Sequence, residues 1–515
     1  MTMVRSGRRV APLLAAIAAR VCLAEPAAAP LKGLTEPRLV AAAMDAAYDA
    51  DFAAVEPALA RACGPAPPPA CEVARAAALW WQIVLDPENR ARDQMFTTDV
   101  ESAISAAGRW TTGEPERAEA WFYLGAAYGA RVQFRSWRKA YLSAARDGKR
   151  IKQSLERALT LDPALHDAHF GIGLYTYYAD VAPAVLKFLR WLLALPGGDR
   201  ATGLQQMERT RTVGTLMRTE ADYQLYLLSI WYENQPDRAL ALLGELQTRH
   251  PHNPLFVVNT AQVCAVYKND HPAALAAYRA LVTGARDGRL REAALATVWG
   301  RRGIAQQLDA LAETDRAVEE WQAVIAAGPT APYGVIALAS FELGQALDRL
   351  GRRQAALAAY RAALAAVPPD DPDGVRDRAS SGIRTAPDRE GAEAYRRSIE
   401  GWRALQDQSL DEAGVAFGDA LRVRPDDGVT LYRRGQWHLA RGDRPKALAD
   451  FERATQVRPL PPAPFVASSQ LEAGHLYLAA GDQARAAARY DAAARVPGAD
   501  PETRDAARRG RAAIR

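Results

Sequence analysis

His166, Asp167 and His169 come closest to a reactive constellation. Histidines three positions apart share one helix face, and two imidazoles so placed can chelate a metal. A third ligand, such as Asp180 or Asp199, would have to arrive from elsewhere. The plainer reading is a helix that starts after Pro163 and carries polar residues on its first turn, and no metal ligand is assigned. Pro196-Gly197-Gly198-Asp199-Arg200 is a turn opening a helix, with Asp199 as its N-cap. It lacks the Lys-Ser/Thr of a phosphate loop, and no strand precedes it. His250 and His252 flank Pro251 at a helix end and read as a surface turn. The acid pairs Asp370/Asp371 and Asp426/Asp427 follow helix-ending prolines, where they are expected to cap the next helix. No GxSxG, no HExxH and no Cys/His pairing with local context occurs. These residues imply no catalytic group and no cofactor, and the chain is read as not an enzyme, with a metal-dependent enzyme built around His166 and His169 as an alternative.

Cys63 and Cys71 enclose Gly64-Pro65-Ala66-Pro67-Pro68-Pro69-Ala70, expected to be non-helical and to form a loop. A disulfide between them would clasp two helices and survive only in an oxidising compartment. The alternative is two free thiols at helix ends. Neither lies in a CxxC, CxxCH or zinc-ligand pattern, and Cys264 reads as a small buried hydrophobe. Residues 1–24 carry the same message. Arg5, Arg8 and Arg9 precede a short apolar core, Val10 to Ala19, and Cys22-Leu23-Ala24 places small residues before a cut near Ala24. This predicts a signal peptide and a periplasmic or otherwise exported protein. Arg20 weakens the pattern, and an amphipathic N-terminal helix of a cytoplasmic protein is the competing reading. Arg5, Arg8, Arg9 and Arg20 account for four of the five charges in the net +5, so the charge makes no argument for nucleic acid. With 49% hydrophobic and 24% charged residues, the 515-residue chain has the composition of a folded protein.

The elements that carry these residues are set by a repeat. Gly401, Ala413, Phe417, Ala420 and Pro425 recur as Gly435, Ala447, Phe451, Ala454 and Pro459, every offset being 34. Gly344, Gly351, Ala356, Tyr360, Ala363 and Pro368 form another copy; Gly474, Tyr477, Gly481, Ala486, Tyr490 and Ala493 form a last one. Glycine and alanine suit close helix crossings. Gly442 suits the left-handed residue that ends a first helix, and Phe451 is expected to fill the gap between neighbouring units. Weaker copies include Ala305, Ala317, Trp321 and Pro329. Trp121, Leu124, Gly125 and Tyr128 match a first helix whose partner is Ile151 to Leu161, which leaves about 14 extra residues expected as longer helices.

These residues resemble the tetratricopeptide repeat family. The resemblance spans about 118–500 and is most specific at the C-terminal end. It implies an all-α, right-handed α-solenoid of helix–turn–helix units, with first helices lining a concave groove that binds a protein or peptide. The expected layout is a signal peptide (1–24), an Ala/Pro-rich tether (25–37), a degenerate helical cap (38–117) and a divergent array (118–367) with an aromatic-rich insertion (166–200). A polar linker (368–392) with a short helix near Val375 to Ile383, a C-terminal array (393–500) and a C-terminal helix or tail (501–515) follow. Projecting the family's inward positions selects Phe122, Phe341, Gln345, Arg349, Tyr395, Ser398, Trp402, Gln406, Tyr432, Gln436 and His475 as partner-binding residues.

The middle of the chain stands apart. Of 40 aromatic residues, 17 fall between 121 and 232, about twice the average density. His166 to Arg200 is similar to the central segment of tetratricopeptide-repeat-39-like proteins, a short resemblance that assigns no chemistry. Val181 to Leu195 is the most apolar run but too short to span a bilayer. It reads as a buried helix, with two functional alternatives: a helix at the membrane periphery, or one wall of an apolar ligand pocket.

Overall fold

The computed structural model describes residues 32–181 and 197–514, and no strand occurs among them. The signal peptide, most of the tether, and residues 182–195 of the apolar run lie outside the described residues. The chain advances as antiparallel helix hairpins. They are α1 (Pro37–Tyr48) with α2 (Phe52–Ala62), α3 (Pro68–Leu85) with α4 (Asp93–Gly113), and α5 (Ala118–Trp137) with α6 (Tyr141–Leu161). Next come α7 (Ala168–Val181) with α8 (Arg200–Val213), and α9 (Arg218–Trp231) with α10 (Pro236–Arg249). Then α11 (Pro254–Gln262), prolonged by a π-helical turn (Val263–Tyr267), pairs with α12 (His271–Arg286), and α13 (Ala293–Ala310) with α14 (Thr314–Ala327). Helix α15 (Val335–Arg349) pairs with α16 (Arg353–Ala366), and α17 (Val375–Arg384) packs on both. The last hairpins are α18 (Arg389–Gln406) with α19 (Leu410–Val423), α20 (Gly428–Ala440) with α21 (Arg444–Ala454), and α22 (Ala463–Ala479) with α23 (Gln483–Arg495). Helix α24 (Pro501–Ala512) closes the stack.

One packing device recurs. A Cβ added at Gly435 would lie 2.6 Å from the Phe451 ring, and Gly344, Gly401 and Gly474 stand in the same relation to Tyr360, Phe417 and Tyr490. In all four hairpins the ring follows its glycine at the same offset in the sequence. Phe451 therefore seats in a socket on its own hairpin, made by the missing glycine side chain, and also packs in one cluster with Ala473 and Leu476 of the next unit, as expected. In the long hairpin α5–α6 the partner of Gly125 is Leu155, nearly twice as far along the chain, and the extra residues lengthen both helices. Asp427 and Asp371 cap the helices that follow them by accepting from the Thr430 and Val375 amides, at 3.2 and 2.8 Å.

Two expectations change. Pro68, Pro69 and Ala70 do not loop out but begin α3, since proline is tolerated in a helix's first turn, where amides have no intrahelical acceptor. The stretch 368–392 is more than a polar linker: Val375 and Ala379 on α17 are buried, and Gly382 abuts Tyr360.

The solenoid curls until its ends meet its middle. The Tyr333 amide donates to Asp86 Oδ1 at 2.9 Å across 247 residues, which joins the end of α3 to the start of α15. The Asn253 side chain donates to the Tyr48 carbonyl at 2.6 Å, and Arg291 pairs with Asp51 at 2.7 Å, seating α1 and α2 against the turns before α11 and α13. The first eight hairpins thus close into a ring. The C-terminal hairpins run back over the rim of that ring, where buried Arg433 donates to the Ala312 carbonyl at 2.8 Å and Arg403 holds Asp315 at 3.0 Å.

Candidate functional site

Ring closure converts the concave side into a cavity of about 1400 Å³. Its wall comes chiefly from first helices (α3, α5, α7, α9, α11, α13 and the start of α15), as the repeat geometry requires. Asp86 and Tyr333, the closing pair, lie on the wall itself. The lining is mostly aliphatic and aromatic. Trp80, Phe122, Phe170, Tyr223 and Tyr226 contribute, and the dense aromatics of 121–232 are largely explained by this one surface. Such a cavity exceeds the ~300–1,000 Å³ usual for small-ligand sites. Exposed apolar side chains surround its rim: Trp137, Tyr141 and Leu142 at the α5–α6 turn face solvent, as do Trp231 and Val266, which are 54% and 72% exposed. Large apolar groups left in water beside an apolar cavity mark a binding mouth.

A few polar groups interrupt this wall. Glu220 on α9 is 6% exposed, and its Oε1 accepts from the Trp81 indole at 2.7 Å and the Tyr48 hydroxyl at 3.5 Å. Burial pushes its carboxyl up to about 7, against the two hydrogen bonds that favour ionisation. Its Oε2 and the Tyr123 hydroxyl have no partner, and Asn259 Nδ2 has none but the neighbouring Tyr223 side chain, although all three residues are at least nine-tenths buried and line the cavity. Gln133 Oε1 accepts from Trp80 Nε1 at 3.3 Å and from Gln224 Nε2 at 3.0 Å. Sequence reasoning missed Glu220 and Asn259. Aromatic density flagged the neighbourhood, but one acid within a helix gives no sign of facing inward.

Of the residues around His166, Asp167 serves the fold, while the Nδ1 atoms of His166 and His169 are buried without a hydrogen-bond partner. Asp167 accepts from the amides of Thr215, Leu216 and Met217 at 2.8–3.1 Å, so its carboxylate holds the turn before α9. No cluster of three or more metal-ligating side chains occurs among the described residues. Asp199 caps α8 by accepting from the Thr202 amide at 2.6 Å. Cys63 and Cys71 lie at disulfide distance, with Cα atoms 5.8 Å apart, and Cys264 is buried.

The projected groove residues divide into two groups. Phe341, Gln345, Arg349 and Tyr395 come together on a second, more open pocket of about 670 Å³ between α15, α17 and α18. There the Arg378 guanidinium lies 4.3 Å over the Phe341 ring, and the Tyr395 hydroxyl bonds Thr314 at 2.7 Å. Arg349 pairs with Asp309, and Arg424 with Asp388. The others are dispersed. Phe122 is buried on the wall of the large cavity. Ser398 is fully buried and accepts from Thr430 and Arg433, at 2.7 and 3.0 Å. Trp402 packs beside Arg433, and Tyr432 against Phe451 and Phe465. Gln436 donates to Glu472 at 3.4 Å, while Gln406 and His475 are exposed.

The family model of the tetratricopeptide repeat matches residues 229–291 and 303–371. No curated protein matches the chain. Among solved structures, a tetratricopeptide repeat protein from Parabacteroides merdae is 18% identical, over 57% of this chain and 98% of that one, with a TM-score of 0.26. The TPR2AB-domain:pHSP90 complex of yeast Sti1 is 17% identical, over 57% and 95%, with a TM-score of 0.23. The human IFIT1 dimer with m7Gppp-AAAA is 13% identical, over 80% and 79%, with a TM-score of 0.33.

Proposed function

The chain is a tetratricopeptide repeat protein, and from that premise we propose that it is an exported, non-catalytic binding scaffold that holds an apolar guest inside its ring. The cavity carries the proposal: an aromatic-lined space of about 1400 Å³ with an apolar rim. Enclosing a guest there removes apolar surface from water at roughly 25 cal/mol per Å². Export is supported by the leader pattern of residues 1–24 and by Cys63 and Cys71, which are placed to form a bridge suited to an oxidising compartment. The test is binding of the apolar dye Nile red. A Cβ at Gly129 on the cavity wall meets nothing within 4 Å, so Gly129→Trp fills the cavity without disturbing a contact at that atom. Bright, saturable dye binding by the wild type, lost in Gly129→Trp at unchanged helicity and melting temperature, is the expected result. Absence of wild-type binding, or equal binding by the variant, overturns the reading.

A second reading is that a protein or peptide partner lies in the open C-terminal groove, favoured by the convergence of Phe341, Gln345, Arg349 and Tyr395 on one pocket. A photo-crosslinker at exposed Gln345 should capture one dominant partner in the native compartment, and Arg349→Glu should abolish that capture. A wild-type groove that captures nothing removes this reading.

A further inference from the structure

Resting on the apolar-guest reading, we propose that the cavity selects an amphiphile, an uncharged oxygen-bearing head on an aliphatic tail, and that Glu220 and Asn259 form the head-group site. An alcohol, ester or amide satisfies this description. The observation is the set of under-satisfied polar atoms in a wall otherwise apolar: Glu220 Oε2 and the Tyr123 hydroxyl, which lack partners, and Asn259 Nδ2, which has only the Tyr223 side chain beside it. A buried polar atom left unpaired is costly, and native proteins pair nearly all of them. Glu220 and Asn259 both border Tyr223, which also lines the cavity and packs on Trp81 with centroids 5.0 Å apart. The two atoms therefore serve one end of a guest while the aliphatic wall takes the rest.

Their chemistry selects the head. Asn259 Nδ2 can only donate. Glu220 Oε1 is already occupied as an acceptor by Trp81 and Tyr48, which leaves Oε2 to carry the proton of the neutral acid and donate. Two donors on one stretch of wall call for an acceptor oxygen. A carboxylate head would bring an uncompensated charge into an apolar wall, and a bare alkane would leave both donors unpaired. Burial holds the Glu220 carboxyl at about 7, so the donating form is present at and below neutral pH. Other titratable or charged groups around Glu220 are Tyr48 and Asp45 on α1, Asp167 before α7, Tyr223 on its own helix, and Arg249 and His250 at the end of α10.

The experiment is displacement of Nile red from the full chain by methyl dodecanoate, dodecane and dodecylamine at pH 6 and pH 8, in the wild type, Glu220→Gln and Glu220→Ala. Methyl dodecanoate, whose ester can only accept, should displace the dye at about tenfold lower concentration than dodecane at pH 6, the worth of one good buried hydrogen bond. That preference should shrink at pH 8 as Glu220 ionises. Glutamine keeps an N–H donor and does not titrate, so Glu220→Gln should keep the preference at both pH values, which separates Glu220 from its titrating neighbours. Glu220→Ala should lose it. Equal displacement by dodecane and methyl dodecanoate overturns the head-group site while leaving the apolar-guest reading intact. Preferred displacement by dodecylamine overturns it too, because Glu220 would then act as a carboxylate toward a cation. Displacement by none of the three defeats both readings.

Discussion

Hairpin turns along the whole solenoid place a residue in the left-handed region just beyond the first helix: Ala50, Lys139, Asn234, Asn269, Ala312, Gly351, Gln408, Gly442 and Gly481. Glycine occupies three of these positions and asparagine two, the residues that tolerate this conformation best. Gln408 departs from that pattern, with φ 62° and a solvent-exposed side chain. A side chain in this region costs about 1–2 kcal/mol, partly offset by the greater chain freedom glycine loses on folding. Gln408→Gly should therefore stabilise the protein by about 0.5–1 kcal/mol in urea titration. An unchanged or lower midpoint would show that the Gln408 side chain contributes something its exposed position conceals. The position was legible in the repeat phase, at the same offset from Gly401 as Gly442 from Gly435. Gln408's left-handed backbone was not, because a glutamine does not advertise it.

Between elements, the seam joining α1 to α9, α10 and α11 turns on His250. Its ring is 2% exposed, shares a 3.0 Å hydrogen bond between Nε2 and the Thr219 hydroxyl, and lies against Tyr48 and Phe256. Burial and nearby Arg249 push the imidazole down to about 4, below its ordinary 6.5. The folded state therefore disfavours the proton. The contribution is present above pH 6.5 and is lost as pH falls from 6.5 towards 4, on the order of 3 kcal/mol in all. Wild-type unfolding free energy should drop between pH 7 and pH 4.5 by more than that of His250→Gln. Parallel curves for the two proteins would mean that His250 titrates normally and the seam is open to water. Beside Pro251, His250 reads from the sequence as part of a surface turn. Thr219 and Phe256 flank its ring, and Tyr48 of α1, from the far N-terminal end of the ring of hairpins, packs on it as well.

At the scale of the molecule, the closed ring and the returning hairpins differ in how they are held. In a linear repeat array each unit is stabilised only by its neighbours, so ends fray first. The ring breaks that rule, since Asp86–Tyr333, Tyr48–Asn253 and Asp51–Arg291 tie its first hairpins to its middle. The last hairpins touch only the rim of the ring, through contacts such as Arg433 on Ala312 and Arg504 within 4.0 Å of Asp270, and no hairpin among the described residues stacks beyond α24. Amide hydrogen exchange should accordingly show α1 and α3 protected nearly as well as α9, and α22 to α24 markedly less. Rapid exchange in α1 and α3, matching the C-terminal helices, would argue that the ring is open in solution.

Helices, hairpin pairing and the glycine-to-aromatic register follow from the sequence alone, because a repeat's stabilising contacts lie within one hairpin and its neighbour and leave a visible period. The first helices face the concave side for the same local reason, and the dense aromatics between 121 and 232 pointed to an unusual middle. Tertiary structure decided that the concave side closes, that Glu220 faces inward, and that Ser398 is sealed beneath Arg433. Those outcomes depend on how small twists between successive hairpins accumulate until the two ends of the ring meet, and no single repeat encodes that sum.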